Sequence, residues 1–172
     1  MRLFTAICFE EDVKTALSSA ANCAKTLADG NFTERENFHL TLVFIGETKR
    51  LADTENALSK IDFPAFDFVI KGTGNFEKGI FWAGVEENPN LQKLYEKIRE
   101  ELSAIGMETE EREYVPHITL ARKFRKPENT DLSAVEELLP KGKQRAKRIS
   151  LMKSERIDGV LRYTEISSKK LF

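Results

Sequence analysis

Apolar residues recur along two stretches of the chain at positions i, i+3, i+4, i+7, i+11 and i+14. In the first they are Val13, Ala16, Leu17, Ala20, Ala24 and Leu27; in the second, Leu91, Leu94, Tyr95, Ile98, Leu102 and Ile105. That spacing lays one apolar face along a helix of 3.6 residues per turn, so it predicts two amphipathic helices. Acids precede each stretch, and a glycine, Gly30 or Gly106, is expected to close it. A short apolar run stands before each helix: Phe4-Thr5-Ala6-Ile7 before the first and Phe81-Trp82-Ala83-Gly84-Val85 before the second. Another follows each helix: Phe38-His39-Leu40-Thr41-Leu42-Val43-Phe44, then Val115-Pro116-His117-Ile118-Thr119-Leu120-Ala121. These read as strands. The offset between matching positions is 77 at the leading strands and 78 at the helices and at the histidines. A strand–helix–strand unit is therefore used twice, over residues 1–47 and 79–125, within one domain spanning 1–172.

The remaining elements carry weaker patterns. Residues 49–60 predict a short helix, and 66–72 a strand that ends at Gly72-Thr73-Gly74. A helix near Leu132–Leu139 and strands near 145–153 and 158–167 are their expected counterparts.

Composition narrows the function. Lys and Arg number 27 against 28 Asp and Glu, a net charge of -1, so no global basic field exists to hold long nucleic acid. No apolar run approaches the ~20 residues that span a bilayer, and the N-terminus lacks a signal-peptide pattern. A cytoplasmic monomer with no membrane association is expected. Cys8 and Cys23 fit no metal spacing and read as small buried hydrophobes. Two histidines exclude a multi-histidine metal site. Gly72-Thr73-Gly74 is too short for a phosphate loop, so no cofactor is expected.

The two histidines, one in each repeat, carry the chemistry. Alternation along a strand puts His39 and Thr41 on one face, with Leu40, Leu42 and Phe44 on the other. His117 and Thr119 likewise share a face, opposite Ile118 and Leu120. Strands related by a pseudo-twofold axis would bring both His-Thr pairs into one cleft. One imidazole can then act as base and the other as acid near neutral pH, while the hydroxyls hold a phosphate. Spacing leaves open which histidine is the acid. Two basic runs stand out locally: Arg122-Lys123-Phe124-Arg125-Lys126, a candidate RNA contact, and 141–148, which reads as a solvated face. Trp82, Tyr114 and Phe124 have the chemistry to stack on bases but read as core.

The tetrapeptides His39-Leu40-Thr41-Leu42 and His117-Ile118-Thr119-Leu120 resemble the signature of the 2H phosphoesterase superfamily. With Arg2-Leu3-Phe4-Thr5-Ala6-Ile7, Phe44-Ile45-Gly46-Glu47, Phe81-Trp82-Ala83-Gly84-Val85, Pro116 to Arg122 and Leu151-Met152-Lys153-Ser154, the chain is similar to the RNA 2',3'-cyclic phosphodiesterases, also called the 2'-5' RNA ligase family. The resemblance implies an α+β fold of two pseudo-twofold-related lobes. Each lobe would have a mainly antiparallel sheet and outer helices, with the active cleft between them. It implies metal-independent opening of an RNA terminal 2',3'-cyclic phosphate to a 2'-phosphomonoester, with His39 as proton donor, His117 as acceptor, and Thr41 and Thr119 on the phosphate. Arg122 matches an arginine that follows the second motif and would bind phosphate. Its odd offset from His117 puts it on the wrong face unless the strand ends or bulges there. Rival readings are a 2',5'-oligonucleotide or small cyclic-nucleotide phosphodiesterase using the same site, and a non-catalytic RNA-end binder.

Overall fold

The computed structural model describes residues 1–172. In chain order the elements are β1 (Arg2–Cys8), α1 (Glu11–Leu27), β2 (Asp29–Phe32), β3 (His39–Glu47), α2 (Leu51–Ser59), β4 (Phe66–Phe76), β5 (Ile80–Val85), α3 (Pro89–Ala104), β6 (His117–Arg125), α4 (Ser133–Glu137), β7 (Lys143–Ala146), β8 (Arg148–Ile157) and β9 (Val160–Lys170). The strands form two antiparallel sheets, ordered β3-β1-β8-β9 and β2-β6-β5-β4-β7. This is the expected α+β class with paired sheets.

Both amphipathic helices form where the periodicity puts them. Val13, Leu17, Ala20, Ala21 and Ala24 are buried from α1, and Leu91, Leu94, Tyr95, Ile98 and Leu102 from α3. Their ends differ from expectation. The start of α3 is set by Asn88, whose side chain accepts from the Asn90 and Leu91 amides, with Pro89 in the first turn; no acid lies in that turn. Gly106 does close α3 in a left-handed conformation (φ 77°), its amide and that of Met107 capping the Ser103 and Leu102 carbonyls. Gly30 does not close α1. It lies inside β2, a strand the sequence did not announce, and a Cβ there would come within 3.2 Å of the Arg122 carbonyl oxygen. The strand expected to stop at Gly72 runs on to Phe76, and the one expected over 145–153 divides into β7 and β8 at Lys147.

The repeat is present but crossed between sheets. Strands β1 and β3 pair in the first sheet as β5 and β6 pair in the second. The strand beside β1 is β8, from late in the chain, and the strand beside β5 is β4, from the first half. One cluster of 34 buried residues draws on both sheets and on α1 and α3, so the two lobes share a core. The 77-residue offset of the leading strands is a one-residue slip. Phe81 is fully buried in that core, whereas Phe4 sits on the opposite face of its sheet, in a small apolar cluster with Ala6 and Met152. A shift of one residue in a strand exchanges its faces.

Candidate active site

The histidines open strands β3 and β6, and each is fixed the same way. Nδ1 of His39 lies 2.7 Å from the Asn37 carbonyl oxygen, and Nδ1 of His117 lies 2.8 Å from that of Val115. A carbonyl only accepts, so both Nδ1 atoms carry a proton and donate it. Each neutral ring therefore keeps its Nε2 lone pair for proton exchange. In His39 that nitrogen stands 2.9 Å from the Thr41 hydroxyl. Aromatic rings flank both imidazoles: Phe4 and Tyr163 at 4.9 Å from His39, Phe76 at 4.7 Å and Trp82 at 6.4 Å from His117. Tyr114, stacked on Tyr95, donates its hydroxyl to the Thr41 carbonyl at 2.8 Å and so ties the segment before β6 to β3. The Thr33 hydroxyl donates to the Thr119 carbonyl at 2.9 Å.

Strand bulges decide what else shares the faces that carry the histidines. Along the β1–β3 ladder, Phe4 opposes Phe44 and Ala6 opposes Thr41, so β3 spends three residues where β1 spends two. The extra residue makes Leu42 and Val43 both buried and returns Phe44 to the His39 side. Phe44 is thus not on the core face, as strict alternation predicts. Thr5 stabilises the irregularity from within: its hydroxyl accepts from the Val43 amide at 3.0 Å and donates to the Val43 carbonyl at 3.3 Å. The same event recurs in β6, where Phe81 opposes Ala121 and Trp82 opposes Thr119. Leu120 and Ala121 are both buried, and Arg122 comes back to the His117 side. This is the bulge that a phosphate-binding Arg122 requires.

A cavity of about 700 Å3 lies against this surface, lined by His39, Thr41, Phe44, Arg122, Arg2 and Tyr163 among others. It is one-sided. Apart from Arg122, every lining residue belongs to the first sheet or its flanking residues, and His117 and Thr119 are not among them. The guanidinium of Arg2 lies 4.7 Å over the Phe44 ring. Burial pushes the His39 imidazole down to about 4, helped by the His117 and Arg122 charges and opposed by the Asn37 carbonyl. Burial also holds His117 below the usual histidine range, with Arg112 and Arg122 adding to it and the Val115 carbonyl opposing. No three His, Cys, Asp or Glu side chains come together as a metal site would need, and no helix is long and apolar enough to cross a membrane.

Residues 11–158 match the family model for the 2'-5' RNA ligase superfamily. The chain belongs to this superfamily. A Thermotoga maritima relative named RNA 2',3'-cyclic phosphodiesterase is 39% identical over 131 residues, 71% of this chain and 70% of that protein. One of the same name from Methanothermobacter thermautotrophicus is 29% identical over 99% of both chains. Escherichia coli LigT in apo form superposes with a TM-score of 0.81 at 25% identity, covering 99% of this chain and 96% of that one. Its complex with 3'-AMP also gives 0.81, at 23% identity over 99% and 97%, a likeness of fold.

For this superfamily member, sequence reasoning missed the flanking rings. Phe76 and Tyr163 lie in no segment that carries the resemblance, and Phe4 does so without marking it for the site; all three reach the histidines through strand pairing. Phe44 could have been found, because it stands 78 residues before Arg122, the offset that relates the histidines. Of the three aromatic candidates, Phe124 is core, stacked on Phe81 at 4.2 Å, and Tyr114 is held between β3 and Tyr95. Trp82 lies beside His117 with its indole N–H buried and unpartnered. The basic runs also differ. In the second, Lys141, Arg145 and Arg148 pair with Glu137, Asp67 and Glu165, whereas the cations of the first run form no ion pair.

Proposed function

We propose that this chain hydrolyses the 2',3'-cyclic phosphate at the 3' end of RNA to a 2'-phosphomonoester, without a metal ion. The reading rests on the matched clamps of His39 and His117, which commit both Nδ1 atoms and leave the two Nε2 atoms as the sites of proton exchange. It is supported by the name its superfamily relatives carry. His117 Nε2 takes a proton from water, the water oxygen bonds to phosphorus, and the P–O3' bond breaks in line with the attack. His39, taken to the imidazolium when the phosphodiester binds, delivers the proton gained at Nε2 to the departing O3' and returns to the neutral ring. Thr41, Thr119 and Arg122 hold the nonbridging oxygens, where negative charge grows.

The one-sided cavity supports this division of labour. A nucleoside seated among Arg2, Phe44 and Tyr163 brings its O3' to the His39 side. The attacking water must then arrive opposite, from His117. The test is a 5'-labelled RNA ending in 2',3'-cyclic phosphate, incubated with EDTA and mapped for product. A 2'-phosphate end is expected. A 3'-phosphate, an intact ring, or activity that EDTA removes and a divalent metal restores would overturn the reading. Equal or faster cleavage of a linear 2',5'-linked oligoadenylate or of a cyclic mononucleotide would move the substrate to those classes, and tight binding without product to an RNA-end binder.

A further inference from the structure

Four residues other than glycine have left-handed backbone: Lys78 (φ 66°), Lys123 (φ 51°), Asn129 and Asp158. Asn and Asp adopt that conformation readily; lysine does not. The two lysines are also neighbours in space. Lys78 sits in the β4–β5 connection, whose Gly79 packs so closely on β6 that a Cβ would lie 3.0 Å from the Phe124 amide nitrogen. Lys123 is the extra residue of a second bulge in β6, where Asp29 opposes Arg125 and Asn31 opposes Arg122, three residues against two. That bulge turns Arg122 and Lys123, adjacent in sequence, both outward, while Phe124 stays buried. The result is a surface cavity of about 460 Å3 lined by Lys78, Gly79, Lys123, Phe124 and Arg125.

The cations of this patch are free to meet an external anion. Lys78, Arg122, Lys123, Arg125 and Lys126 lie close together in sequence or in space, and none of them forms an ion pair. Backbone strain maintained at two unpaired cations around one concavity indicates a ligand rather than packing. Its chemistry is set by three cations with no carboxylate in the lining, which fits phosphate. Continuity sets the kind of phosphate: Arg122 lines the active cavity, and the next residue, Lys123, lines this one. At about 3.3 Å per regular strand residue, with two bulges shortening the path, Lys123 is roughly 9–13 Å along β6 from Thr119. A ligand that reaches both cavities must be a strand carrying several phosphates.

We infer that Lys78, Lys123 and Arg125 form a backbone-phosphate subsite that holds the RNA strand upstream of its reacting end. The protein thereby selects an RNA chain over a cyclic mononucleotide. The inference builds on the proposed function, and binding tests it separately from turnover. The probe is a 5'-fluorescein RNA octanucleotide with a 3'-phosphate, titrated by anisotropy across a salt series. The variant is Lys78→Asn with Lys123→Asn, which removes both charges and keeps a residue suited to left-handed backbone. Losing two phosphate contacts should make the log–log salt slope shallower by about 1.4. For an octamer ending in a 2',3'-cyclic phosphate kcat/KM should fall while that for a 2',3'-cyclic mononucleotide stays, and Lys141→Gln with Lys143→Gln, in the other basic run, should leave the slope unchanged. An unchanged slope in the asparagine variant, or equal loss on octamer and mononucleotide, overturns the subsite. If the slope differs between wild type and the asparagine variant as expected but wild-type protein hydrolyses no cyclic end, the proposed function fails and the subsite stands.

Discussion

With Nδ1 committed to the Asn37 carbonyl, the proposed proton exchange at His39 has Nε2 alone to use, in surroundings that favour the neutral ring. Its own burial, together with the charges of His117 and Arg122, puts its titration near 4, and a bound phosphodiester reverses that by favouring the imidazolium. The bell in kcat/KM, which reports the free protein, should therefore peak on the acid side of pH 6.5, and the kcat bell at higher pH. Identical optima in the two profiles would contradict a substrate-coupled proton. Stability follows the same group. Unfolded histidine takes a proton near 6.5 while folded His39 stays neutral down to about 4. Folding therefore loses stability as pH falls through that window, by up to roughly 1.4 kcal/mol per pH unit. Denaturation of His39→Asn between pH 4 and 7 should show a flatter dependence than wild type. For turnover, replacing either histidine by Ala should cost about 10²–10⁴-fold, and Thr41→Ala or Thr119→Ala roughly 10- to 150-fold, one charge-assisted hydrogen bond. Single-turnover rates check the ordering, and wild-type rates in both histidine variants would reduce the repeat to architecture.

Bulges are where the elements depart from what periodicity predicts. Alternation placed His39 with Thr41 and His117 with Thr119, and the structure keeps both pairs, because each lies before its bulge. Phe44 lies beyond one, so the same rule sent it to the wrong face; Arg122, also beyond one, needed a bulge that alternation cannot supply. The trace left in sequence is a break in apolar alternation, at Leu42-Val43 within the run Leu42 to Ile45 and at Leu120-Ala121. Other elements were illegible for a different reason: β2 is Asp-Gly-Asn-Phe, with no apolar alternation, and exists because β6 offers it an edge. Thr5 makes the first bulge testable. Thr5→Val keeps the shape but leaves the buried Val43 amide and carbonyl without their hydroxyl partner. A loss of about 1–3 kcal/mol is expected, with reduced turnover as Phe44 shifts; urea denaturation together with kcat measures both. Unchanged stability would show that Thr5 does not hold the bulge.

Across the whole molecule, each half supplies strands to the other's sheet: β8 and β9 complete the sheet begun by β1 and β3, while β2 and β4 join β5, β6 and β7. Residues 1–79 or 80–172 alone therefore bury neither sheet's apolar face, and neither piece should show a cooperative thermal transition, whereas the two mixed should regain one. A cooperative melt of either piece alone would contradict the shared core. Crossing the strands also sets a timetable for synthesis on the ribosome, which releases the chain from its N-terminus. All five strands of the second sheet have been made once residue 146 is joined, but the first sheet still awaits residues 148–170. The lobe begun first is finished last. Until then β1, with Leu3-Phe4-Thr5-Ala6-Ile7 along it, has no neighbour on the side that β8 will take, and such an open apolar edge is a template for joining other chains. A nascent chain stalled in the stretch before β8 holds an almost complete second sheet beside an adhesive first one, so the last two strands protect the growing protein as well as complete its cleft.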